Sequence, residues 1–284
     1  MTSIKIISPA KVNLILHVLG KRANGYHDLS MVMTRISLFD EVTLTLKAEG
    51  VSLECDNPLV PSGADNIAWK AAQELIGRKN LQTGVDIAIK KRIPMGGGLG
   101  GGSSNAAAVL MGLNELTGKR VGEEELMEMG LNLGADVPFF IFNRTALAEG
   151  VGEVLSPVDD LPGLWLILIN PGIHVPTAEI FGNLNLGLTN KREEHTITRF
   201  YHKYSMVVSS LYNDLEKVTF RLYPKVREAR DLLLEFGATG SLMSGSGSTV
   251  FGIYRSEEEA RHYYSEMKKD VFSKGWESYL ANSL

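Results

Sequence analysis

Apolar and polar positions along the chain repeat with two different periods. Val42, Leu44 and Leu46 alternate with threonines, and Val85, Ile87 and Ile89 alternate again. A period of two places one set of side chains on one face, so both runs predict strands. LWLILIN, from Leu164 to Asn170, is short and continuously apolar, which fits a buried strand. Elsewhere the period is helical. Ile67, Ala71 and Leu75 form a stripe over Asp65–Ile76, with Asp65 placed to cap it. Ala107, Leu110, Leu113 and Leu116 predict a second helix, stopped at Gly118. Glu123–Asn132 predicts a third, acidic in its first turn. The segment LGADVPFF, Leu133–Phe140, leads into FIF, which reads as a strand. Thr189–Met206 is polar and partly helical by pattern, and Pro224–Phe236 is a helix ending at Gly237. ATGSLMSGSGSTVFGIY then predicts a turn, a glycine loop and a strand, and Glu257–Lys269 a helix with a solvated charged face.

Mixed strands and helices over 284 residues predict an α+β protein of two domains. Between Gly150 and Gly163 the composition becomes loop-like, which sets the expected domains at 1–158 and 159–284. The net charge of −4 argues against a general nucleic-acid or membrane-surface binder. Cys55 is the single cysteine, so no internal disulfide forms and a cytoplasmic setting is expected. Lys5, Lys11 and Asn13 interrupt the apolar N-terminus, which does not read as a signal peptide. No uncharged apolar run is long enough to span a bilayer.

The stretch IPMGGGLGGGSSNAAAVL, starting at Ile93, changes the picture. It lies between a predicted strand and a predicted helix, and six of the seven residues from Gly96 to Gly102 are glycine. Bare backbone lets N–H groups approach a ligand closely, and the helix start adds the free amides of its first turn. A phosphate chain is the natural ligand, with Ser103 and Ser104 adding hydroxyls. No lysine follows the glycines, so this is not a Walker A loop. A dinucleotide fingerprint is easily found within a glycine run, but the acidic residues at the required distance, Glu123–Glu125, sit on a helix.

Pro94, Gly98, Leu99, Gly100, Ser103, Ser104 and Ala106 resemble the phosphate-loop pattern of the GHMP kinases, the group of galactokinase, homoserine kinase and mevalonate kinase. Three further stretches resemble that family in the right order: Pro9–Leu29, Leu133–Phe140 and Met243–Gly252. The closest likeness is to the branch acting on a cytidine-linked alcohol. The resemblance implies an N-terminal domain like ribosomal protein S5 domain 2, a ferredoxin-like C-terminal domain and an active site in the cleft between them. It implies ATP as phosphoryl donor, with Mg²⁺ held mainly by nucleotide phosphates and water and no protein metal site that the sequence identifies. It further implies a small-molecule cytidine-linked acceptor, no nucleic-acid or membrane partner, and a monomer or weak homodimer.

Residue by residue, the resemblance makes Asp136 the base for the acceptor hydroxyl, where sequence alone divides evenly between a base and a turn aspartate. Lys11, otherwise an edge-strand lysine, becomes the partner that holds Asp136 ionised and polarises the hydroxyl. Asn13 shares its strand face and is a substrate contact; His17 is left outside the site. Tyr26 and His27 follow an Asn-Gly turn and are expected to stack on and hydrogen-bond the cytosine, with Pro176, Thr177 and Phe181 as candidates for the second half of that clamp. For ATP the implied contacts are Pro94, Met95, Gly96, Gly97, Gly98, Leu99, Gly100, Gly101, Gly102, Ser103 and Ser104, with Asn66 and Lys91 near the base and ribose. Asn66 also reads as a first-turn helix residue, and Lys91 as a solvated strand end. Gly245, Ser246 and Gly247 form a second glycine loop that either braces the first or touches substrate phosphates. Another GHMP kinase of a small alcohol is the nearest alternative, then a non-catalytic nucleotide binder. Sparse histidines and the absence of clustered carboxylates disfavour a metal-dependent hydrolase.

Overall fold

The computed structural model describes residues 2–118, 121–184 and 203–284. The expected helical stretch from Thr189 therefore lies outside the described residues as far as position 202. In chain order the elements are β1 (Ser3–Lys21), β2 (His27–Lys47), β3 (Val51–Cys55), α1 (Ile67–Arg78), β4 (Gly84–Lys90), α2 (Gly101–Leu116), α3 (Glu123–Leu133), α4 (Val137–Phe142), β5 (Ala146–Gly150), β6 (Val154–Pro157) and β7 (Trp165–Asn170). There follow α5 (Thr177–Gly182), α6 (Tyr204–Ser209), β8 (Tyr212–Asn213), α7 (Glu216–Leu222), α8 (Pro224–Glu235), β9 (Gly240–Met243), β10 (Val250–Tyr254), α9 (Glu257–Ser273) and β11 (Glu277–Asn282). The content is α+β, as the two periods predict.

Two compact units form. One takes the chain up to Ala10, Phe39–Met95 and Gly100–Arg144; the other takes Lys11–Leu38, Gly96–Leu99 and the chain from Thr145. A single cut at 158/159 does not reproduce this division, because the long strands β1 and β2 each contribute to both units. Loop-like composition marks an exposed connection, whereas the units are defined by packing.

In the first unit the strand order is β3-β4-β2-β1. The two alternating runs meet: Val42 pairs with Ile89, Leu44 with Ile87 and Leu46 with Val85. Val42, Leu44 and Val85 have no exposed surface, and matching the two apolar faces fixes the register. Helix α2 lies close upon the strands because its inner face is small. A Cβ added at Gly112 would sit 2.1 Å from Ile6 Cδ1. The cap of α1 is Asn66, one residue later than expected, and its Oδ1 accepts from Ala68 N at 2.8 Å. The FIF segment is also corrected: Val137–Phe142 is the helix α4, with Pro138 in its first turn. Aromatic and β-branched residues favour strands, but a proline in the first turn suits a helix, and burial of Val137–Ile141 stabilises it here.

In the second unit β6-β5-β2-β1-β8 follow one another, with β8 parallel to β1 at Ile15 and Leu16. A separate antiparallel sheet has the order β11-β7-β10-β9. With α8 before β9 and α9 before β11, that is the β-α-β-β-α-β arrangement of a ferredoxin-like domain. Its centre is the continuous apolar run: Leu166, Ile167, Leu168 and Ile169 are all fully buried, each worth roughly 1.5–3 kcal/mol. Helix α8 packs on β10 at Gly252, where an added Cβ would meet Leu233 Cβ at 3.2 Å. Strand β9 falls where only a turn is expected from sequence.

Candidate active site

The glycine stretch follows the end of β4 and runs into the start of α2. Gly100 is the N-cap of α2 in the left-handed region, with φ of 69°, which explains a glycine there. Behind the helix start, in the first unit, Ser8 Oγ donates to Ser104 Oγ at 2.8 Å and accepts from Asn105 Nδ2 at 2.9 Å. Ser104 is buried, whereas Ser103 is half-buried. Lys91 is not a solvated strand end: its side chain is 6% exposed and pairs with the fully buried Asp40. A charged terminus reaches the interior because a carboxylate is there to receive it.

In the second unit the two glycine loops interlock. Ser244 Oγ donates to Gly98 O at 2.9 Å, and Thr249 N donates to Gly97 O at 3.2 Å. A Cβ at Gly98 would lie 2.1 Å from Ser244 O, and Gly98 has φ of +75°. This geometry supports the bracing role for the second loop. That loop is itself held from below. Asn213 Nδ2 donates to Met243 O and Gly245 O, both at 2.8 Å, and Glu216 accepts from Met243 N at 2.8 Å. Ser246 Oγ and Thr177 Oγ1 are 2.9 Å apart, joining the loop to α5. Pro176 stands at the N-cap of α5, and His174 Nδ1 would be 2.9 Å from a Cβ on Gly96.

Lys11 and Asn13 project from β1 in the same unit, both buried. Lys11 Nζ donates to Asn13 Oδ1 at 2.7 Å, and a Cβ on Gly245 would approach Lys11 Nζ to 3.6 Å. Lys11 N also donates to Leu99 O at 3.0 Å, which ties the lysine's backbone to the first loop. Tyr26 is 63% exposed in the β1–β2 turn, so its face is open to a flat ligand. His27 stacks on Phe181 with ring centroids 4.9 Å apart. Residues 154 positions apart thus come together as an aromatic pair. Burial, and then the charge of Lys21, holds the His27 imidazole below its usual pKa.

Asp136 precedes α4 in the first unit and is half-buried. A Cβ on Gly134, two residues earlier, would lie 3.9 Å from Ser103 Oγ, so this segment runs beside the start of α2. Asn66 lies at the same helix end through Ile67, whose Cγ2 is 3.6 Å from a Cβ on Gly102. Its carboxamide is engaged as the α1 cap and donates to Pro61 O at 2.8 Å. Met95 is exposed and Leu99 is buried, so Leu99 is the apolar residue that anchors the loop.

Comparison with known proteins matches the two halves of this arrangement. Residues 66–144 match the GHMP kinases N terminal domain, and residues 204–274 match the GHMP kinases C terminal. The chain belongs to the GHMP kinase family. A 4-diphosphocytidyl-2-C-methyl-D-erythritol kinase of Geobacter metallireducens is 53% identical over 262 residues, 92% of each chain. One of Pelobacter propionicus is 45% identical over the whole of both chains. A crystal structure of a 4-(cytidine 5'-diphospho)-2C-methyl-D-erythritol kinase, 33% identical, superposes with a TM-score of 0.78 over 99% of both chains. A homoserine kinase of Cytophaga hutchinsonii, 20% identical, shares the fold with a TM-score of 0.80 over 100% of this chain and 95% of its own.

The GHMP kinase fold carries an ATP site, and the chain is a phosphotransferase with an alcohol group as acceptor. Asp40, Asn213, Glu216 and Ser244 are among the residues of this region that sequence reasoning does not select. Each acts on backbone or side chains far away in sequence. The signals for them are weak: an aspartate closing the SLFD run, and Asn213-Asp214 before a helix.

Proposed function

We propose that the chain transfers the γ-phosphoryl group of ATP to the 2-hydroxyl of 4-diphosphocytidyl-2-C-methyl-D-erythritol, giving the 2-phosphate and ADP. This is a step of non-mevalonate isoprenoid precursor biosynthesis, carried out in the cytoplasm by a monomer or weak homodimer. The observation that carries the acceptor's identity is the His27–Phe181 stack beside the exposed Tyr26. Stacked aromatic faces suit a flat base, and a neutral imidazole has both a donor and an acceptor for the cytosine edge. The names of the full-length relatives support the same reading.

Asn13, Pro176, Thr177 and the loop Gly245-Ser246-Gly247 complete the acceptor's surroundings. On the donor side, the backbone of Gly96–Gly102 cradles the phosphates, with Pro94, Met95 and Leu99 shaping the loop, Lys91 holding its ammonium beside Gly101 at the helix start and Asn66 serving the nucleoside end. The acceptor oxygen forms a bond to the γ-phosphorus as the bond to the β–γ bridging oxygen breaks. The hydroxyl proton passes to Asp136, and the bridging electrons leave with ADP. Lys11 supplies positive charge next to the hydroxyl, which favours its ionised form. Mg²⁺ bound to the nucleotide neutralises phosphate charge. Ser103 fits such an ion better than Ser104, whose oxygen is already bonded to Ser8 in the interior. Phosphates and water supply most of its ligands.

Calorimetric titration with cytidine diphosphate tests the acceptor reading. The expected result is binding that favours the cytidine over the uridine nucleotide and weakens by about 1–3 kcal/mol in Phe181→Ala, the usual worth of one stacked base. Equal affinity for both nucleotides, untouched by Phe181→Ala, would favour a GHMP kinase of a small alcohol instead.

A further inference from the structure

Asp40 is a fully buried carboxylate that none of the proposed chemistry uses. It stands in β2, yet every group bonded to it belongs to the two ends of the glycine stretch. Oδ1 accepts from Arg92 N at 2.7 Å and from Ile93 N at 2.9 Å, at the exit of β4. Oδ2 accepts from Asn105 Nδ2 at 3.0 Å, in the second turn of α2, and from Lys91 Nζ. The Lys91 ammonium is thereby drawn across the helix start. A Cβ added at Gly101 would lie 2.9 Å from Lys91 Nζ, so the glycine leaves the space that the ammonium fills. A fixed cation at the start of a sixteen-residue helix adds to the positive end of its dipole.

We propose that Asp40 is a positioning residue for the nucleotide: it fixes the Lys91 ammonium against Gly101, at the helix end that receives the donor phosphates. This rests on the ATP-dependent reading above. A lysine without this partner would sample many rotamers, and ordering it at binding would cost affinity. The buried carboxylate orders it beforehand. The role concerns the donor alone, so it separates ATP affinity from turnover and from the acceptor.

The test is ATP titration by calorimetry, with steady-state kinetics, on Asp40→Asn, Lys91→Met and the double variant. Asp40→Asn is expected to weaken ATP binding and raise the KM for ATP by about tenfold, the loss of one charge-assisted contact. The acceptor KM and kcat at saturating ATP stay within about twofold, and the double variant is no worse than Lys91→Met alone, as for residues acting through one another. A folded Asp40→Asn with unchanged ATP affinity, or effects that add in the double variant, would overturn the proposal. If Asp40→Asn does not fold, Gly101→Ala decides: its methyl displaces the ammonium while Asp40 remains, and unchanged ATP affinity there is equally fatal. ATP binding without phosphorylation of the cytidine-linked acceptor would overturn the acceptor reading and leave the titrations to judge Asp40. An unaltered chain that binds no ATP would overturn both.

Discussion

Burial pushes the Glu216 carboxyl up to about 7, against the opposing bond from Met243 N and the charge of Arg230. A carboxyl raised on folding is more readily protonated in the native state, so its contribution is fully present below about pH 4.5 and is lost as pH rises through about 7. Glu216→Gln keeps an oxygen for Met243 N and removes the titration. Urea unfolding should therefore show the variant matching the unaltered chain near pH 4.5 and exceeding it by a few kcal/mol near pH 8, at about 1.4 kcal/mol for each pH unit separating the folded and unfolded pKa. Equal stability at both pH values would contradict this coupling of Glu216 to folding. Single residues are the hardest scale to read from sequence. Lys91 looks like a surface lysine there because its partner, Asp40, lies 51 positions away. Asn66 reads as a residue of the helix start, but its capping bond to Ala68 N is not distinguishable from one made by Asp65, since both residue types cap well.

Two glycine loops, rather than one, hold this region together through the bonds from Ser244 Oγ to Gly98 O and from Thr249 N to Gly97 O. Gly98 combines a positive φ with a backbone approach that leaves no room for a methyl against Ser244 O. Gly98→Ala must push the loops apart or strain the backbone. We expect it to lower stability by about 1–3 kcal/mol, the usual range for overpacking, and to reduce turnover by more than about 100-fold while the circular dichroism stays native-like. Measured activity within a few-fold of the unaltered chain would show that the interlock does not position the reacting groups. The first loop is legible in the sequence because six glycines between a strand and a helix restrict what the segment can be. The short elements are not. α4 is stabilised by burial that no local pattern announces, and β9 forms because β10 supplies its register, Val250 opposite Met243.

Across the molecule, composition and period predict α+β and motif order predicts the family, and both hold. The ferredoxin-like order β11-β7-β10-β9 is implied by family likeness; from local pattern its strands β7 and β10 and helices α8 and α9 are visible, whereas β9 and β11 are not. What one-dimensional reading misses is that β1 and β2 each serve two units, since a strand's length does not reveal where its neighbours change. The central claim is that these units make a kinase of a cytidine-linked methylerythritol. Its most direct test is incubation with Mg-ATP and 4-diphosphocytidyl-2-C-methyl-D-erythritol, following ADP and the product's mass, with Asp136→Asn alongside. The expected result is acceptor-dependent ADP, a product heavier by one phosphoryl group, and a fall of at least about 100-fold in Asp136→Asn with ATP binding retained. ATP binding without phosphorylated product, or full turnover in Asp136→Asn, would contradict it.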